Sequence, residues 1–578
     1  MRLFLLLLFS STIYTGFSQV SFENQAQALG AGVAYGHVML GAGISFYDYD
    51  GDGLDDITIA SSDSNDYTFL KNNGTSFDND LLPMTSSGNQ SKQVMWVDYD
   101  NDGDADFYAA SDQGLSRLHR NDGGGVFTDV TVACGFPSEV LDIWGAAWGD
   151  YDNDGNLDVF FSLREPTRTV PNFLYRNNGD GTFTDVTVSA GLETSGHLTF
   201  CASFFDYDKD GYQDIYMAND KFYTNNILYR NNGDGTFEDV SIASGADVYM
   251  SAMSTTIGDY NNDGWLDVYV TNDFPPEPGG VYGNALLENN GDGTFTNVAT
   301  STGTVFESLG WGAVFLDAEN DGYTDLYVSG GRDGSNGFLP AAFYSNDGDN
   351  TFTIPNNIGF GDDTEESYAN AIGDIDNDGY PEIIVLNNNG EEIFLWKNTT
   401  PTNNNWLKVK LQGVESNRMG IGSWIEIGTG DHVQYNYTVC GEGYLSQNSG
   451  VEFFGINDAT VVDYVKVTWL SGTIDYLEDV AINQLLEIVE GDHPLGVEDQ
   501  SEAMFALYPN PAKNLLTIKQ IAAIDAEVSI FDLSGKKVLT TAISGTESQV
   551  KLNTLQSGIY VVEIVSESGS HTEKLVIQ

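Results

Sequence analysis

Three features of the sequence predict an all-β protein: glycine is abundant at 64 of 578 residues, apolar runs are short, and one acidic pattern returns seven times. Glycine with asparagine and aspartate marks tight turns, and short apolar runs between such turns read as strands. The chain is too long for one core, so several domains are expected. Its formal net charge is −62, from 85 acidic and 23 basic residues. A duplex would repel such a surface, which excludes nucleic acid as a partner class. With 41% hydrophobic and 12% aromatic residues the chain is not a disordered polyanion. A folded protein whose carboxylates hold cations reconciles both facts.

The N-terminus reads as a signal peptide over residues 1–18, with Met1-Arg2, an apolar run from Leu3 to Phe9, and small residues around Gly16-Phe17-Ser18. No cysteine follows the expected cut, so no lipid anchor is signalled. No later stretch approaches the ~20 apolar residues of a membrane span, so no transmembrane segment is expected. Cys134, Cys201 and Cys440 form an odd set. They are expected to be buried, unpaired thiols, which leaves cations to supply the cross-links.

The repeat sets the fold. It runs DYDGDGLDDI from Asp48, DYDNDGDADF from Asp98, DYDNDGNLDV from Asp150, DYDKDGYQDI from Asp206, DYNNDGWLDV from Asp259, DAENDGYTDL from Asp317 and DIDNDGYPEI from Asp374. The intervals are 50, 52, 56, 53, 58 and 57 residues, so each repeat is one supersecondary unit. In the third unit Ala146-Ala147-Trp148 leads into the acidic loop, Asp158 to Phe161 leaves it, and Phe173 to Arg176 follows. The turn Asn177-Asn178-Gly179-Asp180-Gly181 and Thr182 to Thr187 complete four strands. Seven such units pack most economically as a seven-bladed β-propeller over residues 19–400. The seventh unit lacks a fourth strand, and Val20-Ser21-Phe22-Glu23-Asn24 has the pattern to supply it.

Within each loop, carboxylates alternate on a turning backbone. Position 1 is Asp48, Asp98, Asp150, Asp206, Asp259, Asp317 and Asp374; position 3 is Asp50, Asp100, Asp152, Asp208, Asn261, Glu319 and Asp376. Position 5 is Asp52, Asp102, Asp154, Asp210, Asp263, Asp321 and Asp378; position 9 is Asp56, Asp106, Asp158, Asp214, Asp267, Asp325 and Glu382. Position 6 is glycine in every copy. Hard oxygen ligands in a flexible loop suit calcium, and about seven Ca²⁺ ions are expected, one per blade, acting as staples. Position 12 is apolar throughout, where a helix-flanked calcium loop would place a bidentate glutamate, so the loop joins two strands.

These loops resemble the FG-GAP/VCBS repeats of integrin alpha-subunit propellers and their bacterial relatives. The resemblance implies calcium at the loop positions and a ligand-binding propeller rather than an enzyme. Residues 401–492, with landmarks NNWLKVKLQG from Asn404, NRMGIGSWIEI from Asn417, GEGYLSQNS from Gly441 and VKVTWLSG from Val465, resemble the ASPIC/UnbV domain, a small β-rich module. Arg418 is its most distinctive charge, with a salt bridge as the expected use. After a polar linker at 493–504, residues 505–578 (FALYPNPAKNLLTIK, VSIFDLSGKKVL, LNTLQSGIYVVEI) resemble the C-terminal sorting domain of the type IX secretion system, a β-sandwich. That implies passage through the periplasm to the outer surface or the medium, with the type IX machinery as partner.

Catalytic motifs are absent: the sequence holds no GxSxG, HExxH or CxxC, and its six histidines form no ligand pattern. Binding or adhesion to an extracellular glycan or protein is expected, with a polysaccharide-degrading enzyme as the alternative reading. A ligand face is expected on the connections between second and third strands, opposite the acidic loops. Arg164, Arg168, Phe222, Tyr223, Phe274 and Tyr282 lie there. Aromatic and arginine side chains on loops are what binding surfaces use. The bland use of the same loops is packing against the ASPIC/UnbV-like domain or one another.

Overall fold

Seven four-stranded antiparallel sheets follow one another along the chain in a computed structural model that describes residues 20–577, apart from 63–65, 85, 87–89, 222–223, 274–279, 495–504, 521–524, 533–535 and 567–568. The expected signal peptide, and Phe222, Tyr223 and Phe274, therefore lie outside the described residues. The chain divides into two compact units, residues 1–494 and 495–578.

Six of the sheets are meanders of consecutive strands; the third, for example, runs Ile143–Gly149, Asp158–Leu163, Phe173–Asn177 and Phe183–Asp185. In the seventh, Phe22–Asn24 pairs antiparallel with Phe394–Asn398, so the N-terminal strand supplies the fourth member as its pattern predicted. The first strand of each sheet is its inner strand: Ile44–Tyr47, Val94–Val97, Ile143–Gly149, Thr199–Phe205, Ala252–Gly258, Gly310–Leu316 and Ser367–Gly373. From the third to the seventh, each inner strand lies against the next, and the first lies against both the second and the seventh. Gln93, just before the second, reaches the third by accepting from the Ala146 N–H at 2.6 Å. Inner-strand side chains are almost all buried, with Trp96, Trp144 and Trp148 among the largest.

Two asparagine ladders stitch neighbouring sheets, and neither asparagine is among the expected site residues. The loop residue at position 4 sits in the left-handed region, with φ near 58° at Asn101 and 56° at Asn377. Asparagine tolerates that conformation. From there its side chain donates to the position-6 glycine carbonyl of the next loop: Asn101 to Gly155 at 2.9 Å, Asn153 to Gly211 at 2.9 Å, Asn262 to Gly322 at 2.9 Å, Asn320 to Gly379 at 3.0 Å and Asn377 to Gly53 at 2.9 Å. The last of these joins the seventh loop to the first. The asparagine ending the third strand forms the second ladder, as in Asn177 to the Tyr99 carbonyl and Asn72 to the Ile375 carbonyl, both at 2.8 Å.

Residues 402–494 fold as two sheets around Leu407, Val409, Ile425, Val465 and Ile488. From this body the segment Cys440–Ser449 enters the space between the inner strands and meets all seven. Gln447 pairs with Ser45 and accepts from the Trp96 N–H at 2.8 Å while donating to its carbonyl at 2.6 Å. The Trp148 N–H donates to the Cys440 carbonyl at 2.9 Å, and the Gly443 N–H donates to the Thr255 carbonyl at 2.8 Å. Tyr444 packs against Phe200 at 5.5 Å and Trp311 at 4.8 Å between ring centroids. Asn448 accepts from the Ile372 N–H at 3.0 Å. All three cysteines are buried and unpaired, as expected.

In the second unit, Phe505–Tyr508, Leu515–Gln520 and Glu547–Lys551 form one sheet. Ala526–Asp532, Lys537–Ile543, Gly558–Ser566 and Gly569–Ile577 form another, and both contribute to a core holding Leu516, Ile518, Val528 and Ile564.

Candidate metal centres

The third acidic loop shows how the backbone sets the carboxylates. Asp150 accepts from the Asp154 N–H through Oδ1 and the Gly155 N–H through Oδ2, both at 2.9 Å. Gly155 has φ 86°, a conformation a side chain would strain, and that turn brings the chain back on itself. Asp158 enters the second strand fully buried, accepting from Tyr151 N–H at 3.1 Å and Asn177 N–H at 2.7 Å. Asp154 turns Oδ1 to the Asn156 N–H at 3.0 Å, which closes the loop. Asp152 is left with a buried Oδ1 that has no hydrogen-bond partner.

Oxygens of Asp150, Asp152 and Asp158 all lie within 4.8 Å of one another. Positions 1, 3 and 9 converge in the same way at Asp48/Asp50/Asp56, Asp98/Asp100/Asp106 and Asp317/Glu319/Asp325, while in the fourth loop the group is Asp206, Asp208 and Asp210. Position 5 thus joins the converging set in the fourth loop. In the third it serves the turn. The unpartnered buried oxygen recurs on Asp100, Asp208 and Glu319, and on Glu382 of the seventh loop.

Burial, then the neighbouring carboxylates, raises these acids far above the usual carboxylate range. Asp98 is pushed up to about 6, Asp150, Asp206 and Asp259 to about 7, Asp56 to about 8 and Asp106 to about 9. Asp158, Asp214, Asp267, Asp325 and Glu382 are also held well above it. Clustered buried carboxylates with orphaned oxygens and hard donors only are the surroundings a divalent cation satisfies, and calcium fits the donor set. Changing Asp152 to Ala removes one orphaned oxygen and leaves both turn bonds to Asp150 in place. Equilibrium calcium loading is expected to fall by one ion relative to the parent, with the other loops still filled.

Cations already lie beside some loops. Arg230 pairs with Asp208 at 2.7 Å and Asp210 at 3.3 Å, and Lys71 pairs with Asp50 and Asp52. In the fifth unit Glu288 stands where five others carry Lys71, Arg120, Arg176, Arg230 or Lys397 and the sixth carries Ser345, and in the fifth position 3 is the neutral Asn261.

The segment 402–494 covers the acidic-loop side. Lys408 donates to Asp374 at 2.9 Å and to Asn377 Oδ1 at 2.6 Å, with its side chain only 5% exposed. The Arg418 N–H donates to Asn101 Oδ1 at 2.8 Å, and Asn404 donates to the Glu319 carbonyl at 2.9 Å. His432 contacts the Gly322 carbonyl at 3.0 Å, and Lys209 lies 4.6 Å from the Trp424 ring. The connections between second and third strands were expected to pack on this segment or on one another; Arg164 and Asp220 show the latter, while this segment lies on the acidic loops and, through Cys440–Ser449, between the inner strands. Alternating Lys408 and Lys410 on one strand was the available signal, since residues two apart share a face.

The expected ligand residues are differently placed. Arg164 is committed to Asp220, at 2.5 Å, and stacks 4.7 Å from the Phe200 ring. Arg168 has a left-handed backbone, and Tyr282 is 54% exposed.

Family models match on three counts: FG-GAP-like repeat at 48–109, 98–161, 167–217 and 206–270, ASPIC and UnbV at 413–495, and secretion system C-terminal sorting domain at 506–578. Among the described residues no helix is long and apolar enough to cross a membrane. The molecule is a secreted or outer-surface repeat protein. The chain carries FG-GAP-like repeats, an ASPIC/UnbV domain and a type IX sorting domain. It is similar to Cartilage acidic protein 1 of Homo sapiens, 29% identical over 168 residues, which cover 28% of this chain and 25% of that protein. The Xenopus tropicalis protein of the same name is 25% identical over 295 residues, covering 46% of this chain and 41% of that one. The chain thus spans well under half the length of these relatives. Among solved structures, Saccharomyces cerevisiae Sqt1 aligns with a TM-score of 0.38 at 12% identity, over 64% of this chain and 99% of that one.

Proposed function

We propose that the seven sheets are the blades of one calcium-stapled β-propeller, and that the protein is a binding or adhesion module for an extracellular glycan or protein. The observation that carries the metal reading is the orphaned, buried carboxylate oxygen found in five of the seven loops. About seven calcium ions, one per loop, would satisfy those oxygens and stiffen a scaffold that no disulfide supports. Contact between the inner strands of the first and seventh sheets, and the Asn377–Gly53 bond, support a closed ring. The binding reading rests on that rigid frame together with a sorting domain that delivers it outside the cell. The loop carboxylates accept backbone N–H groups and serve a cation, so catalysis is not part of this reading.

The test is a glycan array and a surface-protein pulldown with the mature chain in calcium and in EDTA. Calcium-dependent retention without released product is expected. New reducing ends appearing from a bound polysaccharide would overturn it in favour of a polysaccharide-cleaving enzyme.

A further inference from the structure

A cleft of about 740 Å³ opens between the first two acidic loops and the strand carrying Lys410, within the range typical of small-ligand sites. Its wall on the ASPIC/UnbV side presents Arg418, half-buried. In a chain with 85 acidic residues its guanidinium has no ion pair among the described residues; with the Gln412 amide flipped, that side-chain oxygen would accept from both terminal nitrogens at 3.3 Å. The expected salt bridge is therefore absent among the described residues. The backbone of Arg418 is nevertheless fixed, by its N–H bond to Asn101. A held guanidinium with unused donors facing a cavity is a site for a planar oxyanion, which its fork grips in two places. Lys410, 3.9 Å from Asp48, lies on the same wall, which also carries Glu452 and Glu487, so Arg418 is its one cation without a carboxylate partner among the described residues.

The opposite wall asks for different chemistry. Asp80 and Asp104 are acceptors there, and Phe127 and Leu82 give apolar surface. A ligand must bring several O–H donors to that side, apolar ring faces to the floor and one oxyanion to Arg418. We propose that this cleft binds a glycan bearing a carboxylate, with Arg418 holding the carboxylate and the acidic wall taking the sugar hydroxyls. The assignment rests on the binding function above and moves its site to the domain junction. An acidic peptide would bring several further carboxylates against Asp80 and Asp104, and that like-charge repulsion disfavours it.

The probes are a tetrasaccharide alternating glucuronic acid with N-acetylglucosamine, its carboxyl methyl ester, and a hexapeptide of glutamate, each titrated by calorimetry into the full mature chain in millimolar calcium. The ester is expected to bind at least about 10-fold more weakly than the acid, the scale of a charged hydrogen-bonded pair. Arg418→Gln should erase that difference at an unchanged melting temperature, and Arg418→Lys should restore part of it as a point charge without the fork. Equal binding of acid and ester, or a difference that survives in Arg418→Gln, overturns the proposal. So does a peptide that binds as tightly as the sugar. If none of the three binds while the array is positive, this site is wrong and the binding function stands; if the array is silent too, both fall.

Discussion

Stripped of divalent cations, the protein is expected to melt on the order of 10 °C or more lower, and its response to pH should reverse sign. Sites of this extracellular type bind at roughly 10⁻⁴–10⁻³ M. At ion concentrations about 100-fold above that affinity, each filled loop stabilises by about 2.7 kcal/mol, and several loops act together. Without the ion, the raised carboxylates take up protons on folding. Asp56, near 8, and Asp106, near 9, are protonated in the folded chain across a range where unfolded aspartates are ionised. The folded state then binds more protons than the unfolded one, so stability in EDTA falls as pH rises from about 4 towards those values. With calcium in excess the ion competes with protons for the same oxygens, and the stabilisation it gives grows over the same range. Calorimetric scans at about pH 5.5 and about pH 8, within the shifted window, each with calcium and with EDTA, read both effects. A melting temperature indifferent to EDTA at the higher pH would refute the metal assignment.

The second large effect belongs to the segment between the inner strands. Tyr444 is fully buried among Phe200, Trp311 and Tyr368, and its hydroxyl donates to the Leu40 carbonyl at 2.6 Å. Removing a buried aromatic of this size costs about 3–5 kcal/mol, from lost contacts and the cavity left behind. Tyr444→Ala is expected to fall in that range by denaturant midpoint, and to lower the stability of the repeat region and the ASPIC/UnbV region in a single transition. Tyr464, half-buried on the four-stranded sheet of the same domain, provides a control: Tyr464→Ala should cost less. Two separate transitions in the parent protein would show that the segment does not couple the two regions.

Strand repeats, acidic loops and the fourth strand at Phe22–Asn24 were legible in the sequence because each is a local pattern with a fixed period. Asp150, Asp152 and Asp158 could be brought together from spacing alone, since one tight turn does it. The asparagine ladders were also periodic, but their bonds run between units, and nothing in one repeat marks the partner in the next. Lys408 showed only the face it shares with Lys410, not its partner, and Tyr444 showed nothing. Their partners lie 34 residues away at Asp374 and 404 residues away at Leu40, and no periodicity connects them. Arg164 misleads for the converse reason: an arginine among acids reads as surface chemistry, whereas its partner Asp220 lies 56 residues on.

The Phe22–Asn24 strand also sets an order of assembly. Beside it, the Ser21 N–H reaches the Thr400 hydroxyl, a bond spanning 379 positions. Drawing those ends together across an unfolded chain would cost about 5 kcal/mol of entropy by the loop-length relation, so the intervening sheets must fold first to bring them close. The segment that leaves the ribosome early is thus among the last to dock, and until it does the Phe394–Asn398 strand offers an open edge to any passing chain. For an exported protein this is an argument for keeping the polypeptide apart from its siblings during transit, since the same strand from a neighbour could fill the gap and join two molecules by exchange.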